Sequence, residues 1–151
     1  MTHPNLGEVH PPVYQAMLEL DDRAARAAAE SGLDARLVEL VKIRASQLNG
    51  CAFCLRMHVA DAIAHGESAE RLAVIAAWWE SQYFTEAERA ALQLTERVTR
   101  IGDHGRLPDR GVDPAAHLDE RQHAAVAWPV VVINAWNRIA IPSHYPVGPE
   151  D

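Results

Sequence analysis

Apolar residues recur at helical spacing along most of the chain, and the period-two alternation of a half-buried strand is almost absent. The 151 residues include 26 alanines, and Leu, Glu and Arg, which also favour helix, are abundant. A chain of this length is the size of one domain, and its 48% hydrophobic content is ordinary for a protein with a packed core. The sequence therefore predicts a single all-α domain over residues 1–151.

Capping residues and glycines divide the chain into helical segments. The last segment is ambiguous, because residues 130–133 form a β-branched run that also suits a buried strand, and Pro129 interrupts a helix. Gly and Pro residues between 102 and 114 predict one long loop, and irregular tails are expected outside a core of about 33–141. The helices are expected at about 13–31, 34–49, 51–65, 68–79, 85–101 and 119–139.

Charge and hydropathy exclude several classes of function. The net charge of −7 repels phosphate backbones and anionic headgroups, so we expect neither a nucleic-acid partner nor a membrane partner. Residues 1–12 are polar and do not read as a secretory signal. The longest uncharged stretch, residues 124–137, is shorter than the roughly 18 apolar residues that a membrane span needs. These features predict a soluble, cytoplasmic protein.

The two cysteines of the chain form a CxxC motif at the expected start of a helix. Cys51, Cys54 and His58 lie at positions i, i+3 and i+7, which places them on one helix face. Two cysteines in one helical turn are close enough to form a disulfide. In a reducing compartment such a pair is more often catalytic or metal-binding than structural.

The groups that would activate and orient the pair leave two alternatives open. The helix N-terminus favours Cys51 as the thiolate, whereas His58 is better placed to take a proton from Cys54, and we favour the base. Glu39 should stand at about the height of His58 across the Asn49-Gly50 turn, where it could orient the imidazole. Asp61, three residues after His58 on the same helix, competes for this role.

Other readings of the motif meet specific objections. A zinc site at Cys51, Cys54 and His58 lacks the usual fourth ligand, and covalent haem attachment fails because Leu55 follows Cys54. A thioredoxin-type fold would need strands around the motif. We therefore expect no metal and no cofactor. A group of aromatic residues is expected in the core or at a subunit interface: Trp78, Trp79, Tyr83 and Trp136.

Four residues carry a resemblance to a known family. Glu39, Cys51, Cys54 and His58 match the E-x11-C-x2-C-x3-H signature of the alkylhydroperoxidase AhpD-like proteins, within the carboxymuconolactone decarboxylase family. Residues 40–58 and 133–138 also resemble that family. The chain has phenylalanine at position 53, where some active members have a second histidine. Decarboxylation is disfavoured, because true carboxymuconolactone decarboxylases generally lack the CxxC motif.

The resemblance implies a helical AhpD-like fold, a trimeric or hexameric assembly and a thiol-dependent peroxidase. It implies that Glu39 and His58 deprotonate Cys54, which attacks an organic hydroperoxide and becomes a sulfenic acid. Cys51 would then condense with Cys54 to form a disulfide that an external dithiol reduces. Two alternatives remain open, namely a general dithiol–disulfide oxidoreductase and a non-catalytic redox-sensing subunit.

Overall fold

The computed structural model describes residues 3–104, 106 and 108–149, and within these ranges it contains helices and connecting segments but no strand. The prediction of an all-α fold is thus confirmed. The α-helices of these ranges are α1 (Leu6–Val9), α2 (Pro11–Glu30), α3 (Ala35–Asn49), α4 (Ala52–Ala64), α5 (Ala69–Val74), α6 (Glu86–Thr99), α7 (Pro114–His117) and α8 (Glu120–Ala140). Helix α3 lies at the centre and packs on α4, α6 and α8, while α2 packs on α8.

The predicted caps fix the ends of the long helices. The Asp34 side chain accepts a hydrogen bond from the first turn of α3, and Gly50 ends this helix with φ of 70°, a conformation that glycine adopts without steric cost. Capping boxes are present at both predicted pairs, Thr85 with Glu88 and Asp119 with Gln122. These ends were predictable because each depends on residues only a few positions apart.

Helix α8 runs without a break through Pro129, so the strand alternative for residues 130–133 is wrong. Val130, Val132 and Ile133 are buried because α8 packs against α2, α3 and α6 at once. A helix covered on several sides is apolar on several faces, and its sequence then resembles that of a buried strand.

The structure corrects three local expectations. The helix expected at 68–79 is α5 followed by a 3-10 helix, Ile75–Glu80, with non-helical dihedrals at Ala77. The expected loop at 102–114 begins within a second 3-10 helix, Ile101–Asp103, and ends at α7. The N-terminal tail, expected to be irregular, contains the single turn α1.

A buried ion pair lies between α3 and α6. The Arg44 guanidinium contacts the Glu96 carboxylate at 2.7 Å, and the Trp78 indole N–H donates to the same carboxylate at 2.9 Å. Arg44 and Glu96 are 8% and 3% exposed, so each charge depends on the other for its stability. Trp78 is a core residue, as one of the two readings of the aromatic group predicted, whereas Tyr83 is exposed.

A second and smaller core cluster surrounds the CxxC motif. Cys51 and Cys54 pack there with Ala45 of α3 and with Ile133 and Ala140 of α8.

Within the described ranges of the chain, no helix combines the length and the apolar character that crossing a membrane would require.

Candidate active site

The turn between α3 and α4 places the two cysteines. Cys51 is the N-cap of α4, and its Sγ accepts a hydrogen bond from the backbone N–H of Cys54 at 3.4 Å. Both residues are free thiols and are only 1% exposed. The predicted position of CxxC at a helix N-terminus is confirmed, and the two side chains lie on the first turn.

Glu39 is the carboxylate that holds His58. Its Oε2 lies 2.8 Å from Nδ1 of His58, whereas the nearest oxygen of Asp61 is 3.9 Å from the same nitrogen. Glu39 and His58 are both buried, and Asp61 is exposed. Geometry therefore decides between the two carboxylates that the sequence left open, in favour of Glu39.

His58 and Lys42 together favour the ionised form of the Glu39 carboxyl group. Burial alone would raise the pKa of Glu39, but the hydrogen bond to His58 and the positive charge of Lys42 outweigh it, and the pKa is lowered. The Lys42 ammonium lies 3.5 Å from Oε1, the oxygen that does not contact the histidine. A carboxylate can only accept, so Nδ1 of a neutral His58 carries the hydrogen and Nε2 carries the lone pair.

The free nitrogen of His58 is positioned to act as a base. Nε2 is buried and has no hydrogen-bond partner among the described residues. Such an atom is costly to bury unless a ligand or a proton donor meets it during function. The arrangement can therefore take up a proton at Nε2 while the carboxylate of Glu39 stabilises the imidazolium that forms.

Beside His58 and Cys54 lies a cavity of about 250 Å³, bounded by α2, α4 and α8. Its walls are mainly apolar, with Lys42 and Asp21 as charged members. Asp21 is already paired, since it accepts a hydrogen bond from the Trp136 indole at 2.9 Å. Cys54 lines the cavity and Cys51 does not, so a small molecule in the cavity meets the Cys54 sulfur first.

Burial favours the neutral thiol of Cys54 over the thiolate. It is the largest influence on the pKa of Cys54, which is raised to about 12, and the neighbouring Cys51 adds to the increase. The helix end predicted from the sequence stabilises negative charge, and burial opposes that effect. Formation of a thiolate at Cys54 would therefore require a base that takes up the proton.

Among the described residues, the cysteines are not part of the group of side chains that lie close enough together to hold a metal ion. The oxygens of Glu39 and Asp61 and a nitrogen of His58 lie within 4.8 Å of one another, but this group includes neither cysteine. No candidate metal group among residues 3–104, 106 and 108–149 contains Cys51 or Cys54. The structure thus gives no support to a zinc site built on the cysteines.

Comparison with known proteins identifies the family. Residues 11–97 match the model of the carboxymuconolactone decarboxylase family, more than half of the chain. This chain belongs to the carboxymuconolactone decarboxylase family. The match begins at the first residue of α2 and therefore includes the helix that forms one wall of the cavity.

Two relatives extend this assignment. The uncharacterized protein YdfG of Bacillus subtilis strain 168 is 36% identical over 135 residues, covering 89% of this chain and 88% of YdfG. A crystal structure of a protein of unknown function from Agrobacterium tumefaciens, proposed there to be the antioxidant defence protein AhpD, superposes with a TM-score of 0.84. That protein is 33% identical, and the match covers 99% of this chain and 100% of the other. The fold is therefore AhpD-like.

Several site residues were not predicted from the sequence. Tyr14 and Leu18 line the cavity from α2, which lies outside the expected core of 33–141. Lys42 and Asn137 were included only within the two stretches, 40–58 and 133–138, that resemble the family. An asparagine in the apolar run of α8 is the signal that could have found Asn137, because buried amides need hydrogen-bond partners.

Proposed function

We propose that this protein is a thiol-dependent peroxidase that reduces organic hydroperoxides through Cys54 and Cys51, with His58 and Glu39 as the proton relay. The observation that carries the proposal is the 2.8 Å contact from Glu39 to Nδ1 of His58, on a ring whose buried Nε2 has no partner among the described residues. His58 and Cys54 line the same cavity. The antioxidant role proposed for the Agrobacterium relative supports the same reading.

The first half of the reaction consumes the peroxide. Nε2 of His58 takes the Cys54 proton, and the sulfur attacks one oxygen of the O–O bond. An S–O bond forms, the O–O bond breaks, and the alkoxide leaves with its electron pair. His58 returns the proton to the alkoxide, giving an alcohol and the sulfenic acid of Cys54.

The second half restores the thiols. The Cys51 sulfur attacks the sulfur of the sulfenic acid, and water leaves as the Cys51–Cys54 disulfide forms. The two thiols have then supplied the two electrons and two protons that convert one hydroperoxide to one alcohol and one water. An external dithiol reduces the disulfide by thiol–disulfide exchange and is itself oxidised.

A base such as His58 is needed because burial raises the pKa of the Cys54 thiol. A thiol whose pKa is raised to about 12 has almost no thiolate at neutral pH. A base held within the site contributes typically about 10²–10⁴ in rate. Substrate specificity would come from the apolar cavity, which suits the hydrocarbon part of an organic hydroperoxide.

Partners and setting complete the proposal. The proposed cycle starts from reduced Cys51 and Cys54, which suits a reducing compartment, and we place the protein in the cytoplasm. We place it there as a homo-oligomer of the trimeric or hexameric kind, as the resemblance to AhpD-like proteins implies. The net charge of −7 is unfavourable for nucleic acid and for anionic membranes. A general oxidoreductase acting on protein disulfides is less well supported, because both sulfur-bearing residues are only 1% exposed.

Stopped-flow kinetics tests the proposal. Fully reduced protein is mixed with a small organic hydroperoxide, and the rate of thiol loss is compared with that of free dithiol at equal concentration. We expect a much faster rate, with two thiols lost per peroxide, and none of this acceleration in Cys54→Ser. In Cys51→Ser the first step should persist and stop at a sulfenic acid that dimedone traps. A wild-type rate equal to that of the free dithiol would refute the proposal.

A further inference from the structure

Three asparagine side chains form a hydrogen-bonded chain beside the CxxC motif. Asn49, the last residue of α3, donates from Nδ2 to Oδ1 of Asn134 at 2.9 Å and to Oδ1 of Asn137 at 2.8 Å. Asn137 in turn donates from its own Nδ2 to Oγ of Ser46 at 3.1 Å. Asn137 and Ser46 are completely buried.

The backbone of α8 fixes the direction of this chain. The carbonyl of Val130 can only accept, so the group that Asn134 points at it, 2.9 Å away, must be its amide NH2. Arg138 donates to the oxygen of Asn134 at 3.0 Å, which agrees with this orientation. Asn49 must then present its NH2 to that oxygen and to Asn137. Asn137 consequently turns its oxygen toward Asn49 and its NH2 away from it.

Asn137 lies on the face of α8 that packs against the cysteine cluster. Ile133 and Ala140 lie four residues before and three residues after Asn137, on the same face of α8. Both pack in the cluster that contains Cys51 and Cys54. An amide NH2 has two hydrogens, and the hydrogen bond to α3 described above uses one of them. The other is free for a partner on the cysteine side.

We propose that Asn137 donates this second hydrogen to Sγ of Cys54 and so acts as a catalytic residue that stabilises the thiolate. The role in catalysis rests on the proposed peroxidase function, whereas the hydrogen bond itself does not. A hydrogen bond to an ionised acceptor is roughly twice as strong as one between neutral groups. The contact therefore favours the thiolate over the thiol.

The electrostatics of the site agree with this assignment. Burial has the largest influence on the pKa of Cys54 and raises it, and the Asn137 side chain is the strongest influence in the opposite direction. Asn137 and His58 would divide the work. The Asn137 amide does not ionise and remains a hydrogen-bond donor throughout the cycle, while the His58 imidazole gains and releases a proton.

Alkylation of Cys54 tests the hydrogen bond without any peroxide. In a Cys51→Ser background Cys54 is the one remaining cysteine, and its rate of reaction with iodoacetamide at fixed pH is proportional to its thiolate fraction. Asn137→Asp replaces the donor by an acceptor of the same shape and should slow alkylation about tenfold or more. Asn137→Ser removes the amide without adding a charge, and it should also slow alkylation.

Two further variants separate this contact from general packing. Ser46→Ala removes the other hydrogen-bond partner of the Asn137 amide but leaves its donor to Cys54, so alkylation should change by less than about twofold. Asn49→Asp presents oxygen to Asn137, which should turn the amide around and slow alkylation as Asn137→Asp does. Circular dichroism selects the variants that fold.

The outcomes distinguish this inference from the proposed function. Unchanged alkylation in either folded variant of Asn137 would overturn the inference, even if the protein reduces peroxides. Slower alkylation in these variants, in a protein that reduces no peroxide, would confirm the hydrogen bond and refute both the peroxidase proposal and the catalytic role assigned to Asn137.

Discussion

Replacing Glu39 with glutamine tests which nitrogen of His58 carries the hydrogen. In the native site a carboxylate oxygen accepts from Nδ1 at 2.8 Å, and this leaves the lone pair on Nε2. The amide of glutamine has one oxygen and one NH2, so the variant must choose which of them faces the imidazole. Lys42 determines this orientation, because its ammonium group can only donate and lies 3.5 Å from Oε1 of Glu39, the oxygen that does not contact His58.

The amide oxygen of the introduced glutamine should therefore face Lys42, and its NH2 should face Nδ1 of His58. Nδ1 must then accept, so the hydrogen moves to Nε2 and the lone pair needed for the Cys54 proton is lost. General-base catalysis contributes typically about 10²–10⁴ in rate, and we expect Glu39→Gln to slow thiol loss with hydroperoxide about 100-fold or more. The variant is isosteric, so circular dichroism should show an unchanged helix content.

A double variant makes the explanation specific. In Glu39→Gln with Lys42→Met, nothing holds the amide oxygen away from the histidine, so the oxygen can turn to Nδ1 and restore the native tautomer. Part of the lost rate should return, measured by the same stopped-flow loss of thiols against Lys42→Met alone. A wild-type rate in Glu39→Gln would refute the relay. Equal loss with and without Lys42 would refute the tautomer explanation.

Three predictions concern stability, measured by urea unfolding. Glu96→Leu leaves the buried charge of Arg44 without its partner and should cost about 3–5 kcal/mol, whereas Arg23→Ala, which breaks an exposed pair, should cost less than about 1 kcal/mol; equal costs would contradict this. Thr85→Ala removes half of a capping box and should cost about 1 kcal/mol, and no change would mean that the cap is dispensable. The pKa of Glu39 in the folded protein is lowered from its ordinary value of 4.5. The stabilisation that the ionised carboxylate gives to the folded protein is therefore complete above pH 4.5 and is lost as the pH falls through the folded pKa. A difference in the free energy of unfolding between wild type and Glu39→Gln that grows as the pH falls would contradict this sign.

Local and periodic features of the fold could be predicted from the sequence. Asp34, Gly50 and the Thr85–Glu88 box act within one helical turn, and their consequences follow from the residue types alone. The pairing of Glu39 with His58 was also within reach, because two helices joined by a tight turn place residues equally distant from the turn at equal heights.

Features that depend on side-chain packing were not predictable in this way. Asp61 has the same helical spacing to His58 that ordinary ion pairs show, and only its orientation toward solvent excludes it. The burial that raises the pKa of Cys54 depends on α8, about 80 residues further along the chain. The direction of the Asn137 amide is set by the Val130 carbonyl through two other side chains.

The contact between Lys42 and Glu39 has a consequence for the charge inventory of the site. When His58 is neutral, the Lys42 ammonium and the Glu39 carboxylate cancel and the Cys54 thiol adds no charge, so the sum over these four groups before reaction is zero. After the proposed transfer the thiolate and the imidazolium cancel as well, and the sum is still zero. No net charge enters or leaves the low-dielectric interior, where an uncompensated ion is most costly. Chemistry at Cys54 can thus proceed without exchanging a proton with bulk water.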